Sequence, residues 1–416
     1  NANGFIDFSN KTPNLNLAVE LNKLDLSFFS DLSVDVVKNI RGLVSGKTTL
    51  FGDYNNPDFL GVLSLDGAGM KIPYLNIDFD FLNDVTINLK NKRFLFDNIF
   101  IKDTKYNTTG RLNGFIAHNY FTDWELGLKL STKNLLVLDK KQEESSLYYG
   151  KALISGTAEI LGPTSDLLVK VNAKTKEGTV FKIPISDSES VGDNSFIKTI
   201  SKYERINQTD INANLPKDLS GLELEFDLDI TPEAEIEIVL DQDAGSVLKG
   251  RGDGLIRIEI NTNDKFNMYG DFIVSEGTYN FVYGNNFLKG GFIEKRFKVK
   301  PGGTINWDGS PYKASINMDA VYSTSSNPAL LLDNPSINRK IPVDVIINLN
   351  GGLMQPDVNF NIEFPKTNSV VKSELLYKLD DTEFRDKQAL SLVTTGQFTG
   401  SYAYGQGAVT GNLVER

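Results

Sequence analysis

Residues 222–230 read LELEFDLDI, an alternation with no break in it. Leu222, Leu224, Phe226, Leu228 and Ile230 fall on one side, and Glu223, Glu225, Asp227 and Asp229 on the other. A helix would scatter these residues around its axis, whereas a strand sends successive side chains to opposite faces. The stretch therefore predicts a strand with one apolar and one wet, acidic face.

The same period runs outward in both directions. Downstream it recurs at Ala234/Ile236/Ile238, Ile256/Ile258/Ile260, Met268/Phe272/Val274, Tyr279/Phe281/Tyr283 and Ile316/Met318/Ala320. It continues at Val343/Val345/Ile347/Leu349 and Val358/Phe360/Ile362/Phe364. Turn-forming Asn, Asp, Gly and Pro separate these runs at intervals of about eight to twelve positions. Residues 42–181 read alike with less regularity. GLVSGKTTLFG (42–52), GKALISGTAEILG (150–162) and KGRGDGLIRIEI (249–260) each place glycines ahead of a short strand, a faint repeat at roughly a hundred residues.

Helical pattern is scarce. It is expected near 195–204, inside a polar stretch, and in SELLYKLDDTEFRDKQALSLV from 373, after the strand-ending Pro365. The expected organisation is a first β segment over 1–185, a polar insertion or linker over 186–218 and a second β segment over 219–366. A helical piece over 367–395 and a Gly-rich tail over 396–416, a possible further strand, complete it.

Composition excludes several functions. With 54 acidic against 43 basic side chains the net charge is −11, and no basic stripe is set aside for a nucleic acid. There is no cysteine, so disulfides, thiolate catalysis and zinc–thiolate sites are ruled out. No apolar run reaches the ~18 residues of a membrane helix. The chain opens in a polar stretch and stops without tapering, which reads as a segment of something larger.

Motif by motif, chemistry finds little footing. Gly250, Gly252 and Gly254 are followed by a strand rather than by a helix N-terminus, so they do not cradle phosphate. Arg251-Gly252-Asp253 lies in a strand entry, where an adhesion tripeptide needs a loop. A calcium loop started at Asp241 would put Gly252 where a bidentate Glu belongs. His118 is the only histidine and has no G-x-S-x-G partner, so it reads as structural. Carboxylates spaced i, i+2 on one strand face read as a solvated surface. No enzyme activity, cofactor or metal is expected, although a polysaccharide-active β-scaffold remains a third possibility. The apolar face must be covered, and helices are too few to do it. The sheet therefore folds over on itself, leaving either a dry core or a groove suited to acyl chains. Periodicity leaves both open.

Several blocks resemble the C-terminal region of the TamB family, within the AsmA-like group of intermembrane proteins. YGDFIVSEGTYNFVYGNNFLKGGFIEKRFKVKPGGTINWDGSPYKASINMDAVY (269–322) carries its succession at Gly270, Gly277, Tyr279, Phe287, Phe297, Gly303, Trp307, Gly309, Pro311 and Ala320. PVDVIINLNGGLMQPDVNFNIEFP (342–365) and SELLYKLDDTEFRDKQALSLVTTGQF (373–398) are similar to the segments that follow. Residues 42–183 resemble Bacteroidota-type members, with His118 at a strand end. The family's N-terminal membrane helix is absent from this stretch, and the usual tail is short or missing.

The resemblance implies an all-β fold: a long, curved, largely antiparallel sheet forming an elongated apolar groove, or β-taco, with a short C-terminal helical segment. It implies a periplasmic bridge between the inner and outer membranes of a Gram-negative bacterium. Its partners would be phospholipids, an outer-membrane insertase barrel of the TamA type, and the inner membrane through the missing helix. Groove-lining positions are expected at Leu224, Phe226, Leu228, Ile236, Ile238, Ile256, Ile258, Ile260, Phe272, Val274, Tyr279, Phe281, Ile316, Met318, Val345, Ile347, Phe360 and Ile362. Partner contacts are expected at Leu375, Leu376, Leu379, Phe384 and Leu390. The alternative role is assembly of outer-membrane barrels through sheet edges.

Overall fold

Period-two alternation builds strands, and among the described residues the strands join in one mixed sheet of 21. A computed structural model describes residues 1–9, 11–31, 37–142, 148–184, 221–241, 245–261, 265–283, 293–332 and 337–400. The helix expected at 195–204, the whole 186–218 insertion, Phe287 and residues 401–416 of the tail lie outside the described residues. The chain divides into two compact units.

The first unit comprises Asn1–Ile238, Arg251–Phe272 and Asn306–Pro311. Its strands begin with β1 (Ala2–Asp7), β2 (Asn14–Asp25), β3 (Lys38–Asp53) and β4 (Asp58–Ile72), paired antiparallel in succession. Then β5 (Ile77–Phe81) and β6 (Val85–Lys90) both pair with β4 and with β7 (Arg93–Asp103). They act as one strand broken at Leu82–Asp84. The meander continues through β8 (Thr109–Asn119), β9 (Asp123–Lys140) and β10 (Tyr149–Pro163). A second broken strand, β11 (Leu168–Thr175) and β12 (Val180–Pro184), follows along β10.

Here the sheet departs from a meander. β13 (Glu223–Ile230) runs parallel to β11, with Lys170 opposite Glu225 and Lys174 opposite Asp229. Parallel neighbours need a long crossover, and the 36 residues from 185 to 220 separate β12 from Gly221. β14 (Glu235–Asp241) completes this broken strand, and β13 pairs antiparallel with β15 (Ser246–Asn261).

Side-chain chemistry fixes this parallel step. Lys170, Lys174, Lys176 and Lys182 reach Glu225, Asp229, Glu233 and Glu237 at 3.1, 3.0, 3.0 and 2.6 Å. The two breaks also align, because the Thr231 N–H donates to Thr175 Oγ1 at 2.9 Å and the Thr231 hydroxyl to the Thr175 carbonyl at 3.2 Å. The acidic face is thus neutralised by lysines from the neighbouring strand. A one-residue slip would turn every apolar side chain to the wrong side.

The second unit comprises Val239–Gly250, Ile273–Ile305 and Tyr312–Arg416. The later strands are β16 (Phe266–Tyr283), β17 (Ile293–Val299), β18 (Thr304–Gly309), β19 (Ser315–Ser326), β20 (Ile341–Gly352) and β21 (Pro356–Glu363). Within the unit β16 pairs with β17, β17 with β19, β19 with β20 and β20 with β21, all antiparallel. Two helices follow, α1 (Ser369–Lys378) and α2 (Thr382–Thr395). The sequence suggested one helical stretch; Asp380 and Asp381 divide it. Asp381 caps α2 by accepting the Phe384 N–H at 2.8 Å, and Gly396 ends it at φ 74°.

Candidate functional site

In each unit the strands contribute apolar side chains to a buried face. In the first unit it gathers Phe59, Leu63 and Leu65 of β4, Val85, Ile87 and Leu89 of β6, and Ile99 and Ile101 of β7 in one buried cluster. The expected lining residues Leu224, Ile236, Ile238, Ile256, Ile258, Ile260 and Phe272 also lie buried, while Phe226 and Leu228 are half-buried. Leu255, on the opposite face of β15, is 74% exposed. The alternation therefore does sort side chains by environment.

In the second unit Val274, Tyr279, Phe281, Ile316, Met318, Val345, Ile347, Phe360 and Ile362 are buried. Phe281 of β16 and Phe360 of β21 meet edge-on with centroids 6.3 Å apart. Four strand steps separate these strands, about 19 Å measured along a flat sheet. The sheet of this unit therefore curls until its apolar faces touch. At this point of the second unit the apolar face is closed on protein side chains. Phe281 also sits 5.8 Å from Phe297, and Phe297 5.7 Å from Tyr322.

The other sequence features resolve into structure. Arg251-Gly252-Asp253 lies inside β15, and Arg251 Nη1 donates to the Pro232 and Glu233 carbonyls at 3.3 and 3.1 Å. It clamps the turn between β13 and β14. Gly254 approaches the next strand closely, since a Cβ there would lie 2.6 Å from the Asp271 carbonyl oxygen.

His118 ends β8 and is buried among rings. It stacks on Phe121 at 3.8 Å and lies 5.1 Å from Phe59 and 5.8 Å from Trp124. Its Nδ1 accepts the Phe121 N–H at 3.3 Å, so the ring carries its proton on Nε2, which has no partner. Burial lowers its pKa, aided by nearby Lys92 and opposed by Asp58. The turn it braces is strained: Tyr120 and Phe121 both have φ 57°. Asn56 holds it further, accepting the Tyr120 N–H at 3.0 Å and donating to Asn119 Oδ1 at 2.8 Å.

Among the described residues no group of three His, Asp or Glu side chains is placed to hold a metal, and no helix is long and apolar enough to cross a membrane. Of the expected partner contacts, Leu375 and Leu379 are buried, Phe384 and Leu390 half-buried, and Leu376 exposed. The alternation did not flag Val370 and Tyr377, which are more exposed, at 77% and 78%. It also gave no sign of Arg385, which donates through Nε to the Phe360 carbonyl at 3.1 Å. Asp386 is half-buried, and burial raises its pKa.

No curated protein and no solved structure matched the chain. The family model of the TamB C-terminal domain matches residues 97–415, more than three quarters of the sequence. The match takes in β8 through α2, the parallel step and the contact of Phe281 with Phe360. By that match the chain belongs to the TamB family, whose role lies in outer-membrane assembly and lipid transport.

Proposed function

We propose that this chain is a non-enzymatic segment of a periplasmic bridge, and that its inner face carries phospholipid acyl chains toward the outer membrane. A barrel of the TamA type would receive them, and an inner-membrane anchor elsewhere in the protein would hold the other end. The observation that carries this reading is the apolar face repeated from β3 to β21. Each methylene moved from water to such a face is worth about 0.8 kcal/mol, so a ~16-carbon chain needs on the order of 13 kcal/mol of matching surface along its path. Where the face is closed on protein, as at Phe281 and Phe360, passage requires its walls to part. Phe226 and Leu228, half-buried on β13, are the two expected lining positions that are not fully buried, and an incoming chain would meet less packing there than at the others. A second reading, assembly of barrel proteins through sheet edges, is favoured by β21, which pairs with β20 alone among the described strands.

The test is Phe226→Asp, at a half-buried site that tolerates a charge better than its buried neighbours. Phospholipid bound per purified chain is expected to fall several-fold with the circular dichroism unchanged, while Leu255→Asp on the outer face leaves it as it was. Undiminished lipid in a folded Phe226→Asp protein would remove the lining role of this face.

A further inference from the structure

At one margin of the first unit's buried face the strands bring a lysine and two tyrosines together. Leu138 of β9 is 5% exposed, and Lys140, two residues on, shares its face. Lys140 lies about 7 Å further along the strand. It stands opposite Gly150 of β10, which in turn stands opposite Phe181 of β12. The Lys140 Nζ sits 5.7 Å from the centre of the Tyr74 ring. Tyr74 belongs to the short turn Pro73–Leu75, which Asn76 ties to β9 by donating to the Asp139 carbonyl at 2.8 Å. The Tyr74 and Tyr148 hydroxyls meet at 2.9 Å, and the Tyr148 ring stacks on Phe181 at 5.5 Å.

Two features of this cluster call for an anion. Neighbouring lysines on the opposite face are matched by carboxylates: Lys105 pairs with Asp139, and Lys182 with Glu237 at 2.6 Å. Lys140 has the Tyr74 ring beside it and, among the described residues, no carboxylate in ion-pair range. The second feature is a spare hydrogen. Two phenols carry two O–H hydrogens, and their mutual bond uses one. Among the described residues the other has no acceptor. Burial raises both phenol pKa values, so both groups stay protonated and able to donate. An ammonium and a spare O–H at the margin of an apolar face match the oxygens of a phosphate.

We propose that Lys140, Tyr74 and Tyr148 form a phosphate station, where the headgroup phosphate of a phospholipid rests while its acyl chains lie on the apolar face from Leu138 inward. The step from Leu138 to Lys140 is one that the glycerol backbone spans between acyl ester and phosphate. The station deepens the lipid reading above and rests on it for the source of the phosphate; the phosphate chemistry itself is carried by the lysine and the hydroxyl pair.

The test uses the full chain and two soluble probes. One is dihexanoylphosphatidylglycerol below its micelle concentration; the other is dihexanoylglycerol, with the same chains and no phosphate. Calorimetry reads both affinities. Lys140→Gln is expected to weaken the phospholipid about tenfold, the loss of one charge-assisted contact, and to leave dihexanoylglycerol within about twofold. Tyr74→Phe, which keeps the ring beside Lys140, should give a smaller loss in the same direction. Lys151→Gln, on the opposite face and over Tyr106, should change neither affinity. Wild-type affinity for the phospholipid in Lys140→Gln would overturn the station. So would a matched loss for both probes, which marks a packing role, or an equal loss in Lys151→Gln, which marks bulk charge. If the wild type binds neither probe, the acyl-chain reading falls by itself, and inorganic phosphate then judges the station. Saturable phosphate binding that Lys140→Gln abolishes upholds it; no phosphate binding removes it.

Discussion

At Gly46 the backbone of β3 runs at φ 150°, and a Cβ there would lie 2.2 Å from the Val62 carbonyl oxygen. Only glycine permits the two strands to approach so closely in that conformation. Gly46→Ala is expected to destabilise the first unit by roughly 2–4 kcal/mol, read as a lower urea midpoint. His118 supplies a second residue-scale prediction, this time in pH. Its folded pKa lies below the unfolded value near 6.5. The neutral ring is therefore favoured in the fold, and its contribution is complete above the unfolded pKa. That contribution falls as pH drops below about 6.5 toward the folded pKa, because the unfolded chain takes up the proton first. The urea midpoint of the first unit should fall over this window, and His118→Phe should flatten that part of the profile. A profile equally steep in His118→Phe would assign the loss to carboxylates instead.

The four Lys–acid pairs between β11/β12 and β13/β14 act together on register more than singly on stability. Lys174 and Asp229 are half-exposed, and such pairs contribute about 0–1 kcal/mol. Lys174→Glu should cost no more than about 1 kcal/mol, and adding Asp229→Lys should restore most of it; a double-mutant cycle by urea unfolding reads the coupling. At this scale the limits of the sequence are plain. LELEFDLDI announced a strand and its buried side because period two has no other regular explanation. It did not announce a parallel neighbour, since the partners of Glu225 and Asp229 lie fifty-five residues upstream, beyond any local pattern. The carboxylates looked solvated for the same reason. The contact of Arg385 with the Phe360 carbonyl was equally hidden, because a side chain bonding to a backbone leaves no periodic trace. The face of Ile258 and Phe281 was legible, whereas its occupant was not: protein and acyl chain are both apolar, and alternation records only the exclusion of water.

For the molecule as a whole, an apolar face repeated in each unit, with a polar opposite face, and a chain net charge of −11 fit the proposed conduit bathed in water. On the proposed reading, touching walls such as Phe281 against Phe360 are the contacts a lipid would have to displace. Val345 and Ile347, both 0% exposed, hold the sheet beside them, and Ile347→Ala should destabilise the second unit by about 2–5 kcal/mol in urea unfolding. The central claim is that lipid travels on this face. It is tested most directly by placing a photo-crosslinking phenylalanine analogue at Phe226, at Phe281 and, as the outer-face control, at Leu255 in the full protein in the living envelope. Phospholipid attached to the chain after irradiation is then identified by mass spectrometry. The account predicts phospholipid adducts at Phe226 and Phe281 and none above background at Leu255. Adducts at Leu255 alone, or at none of the three in folded protein, would contradict it.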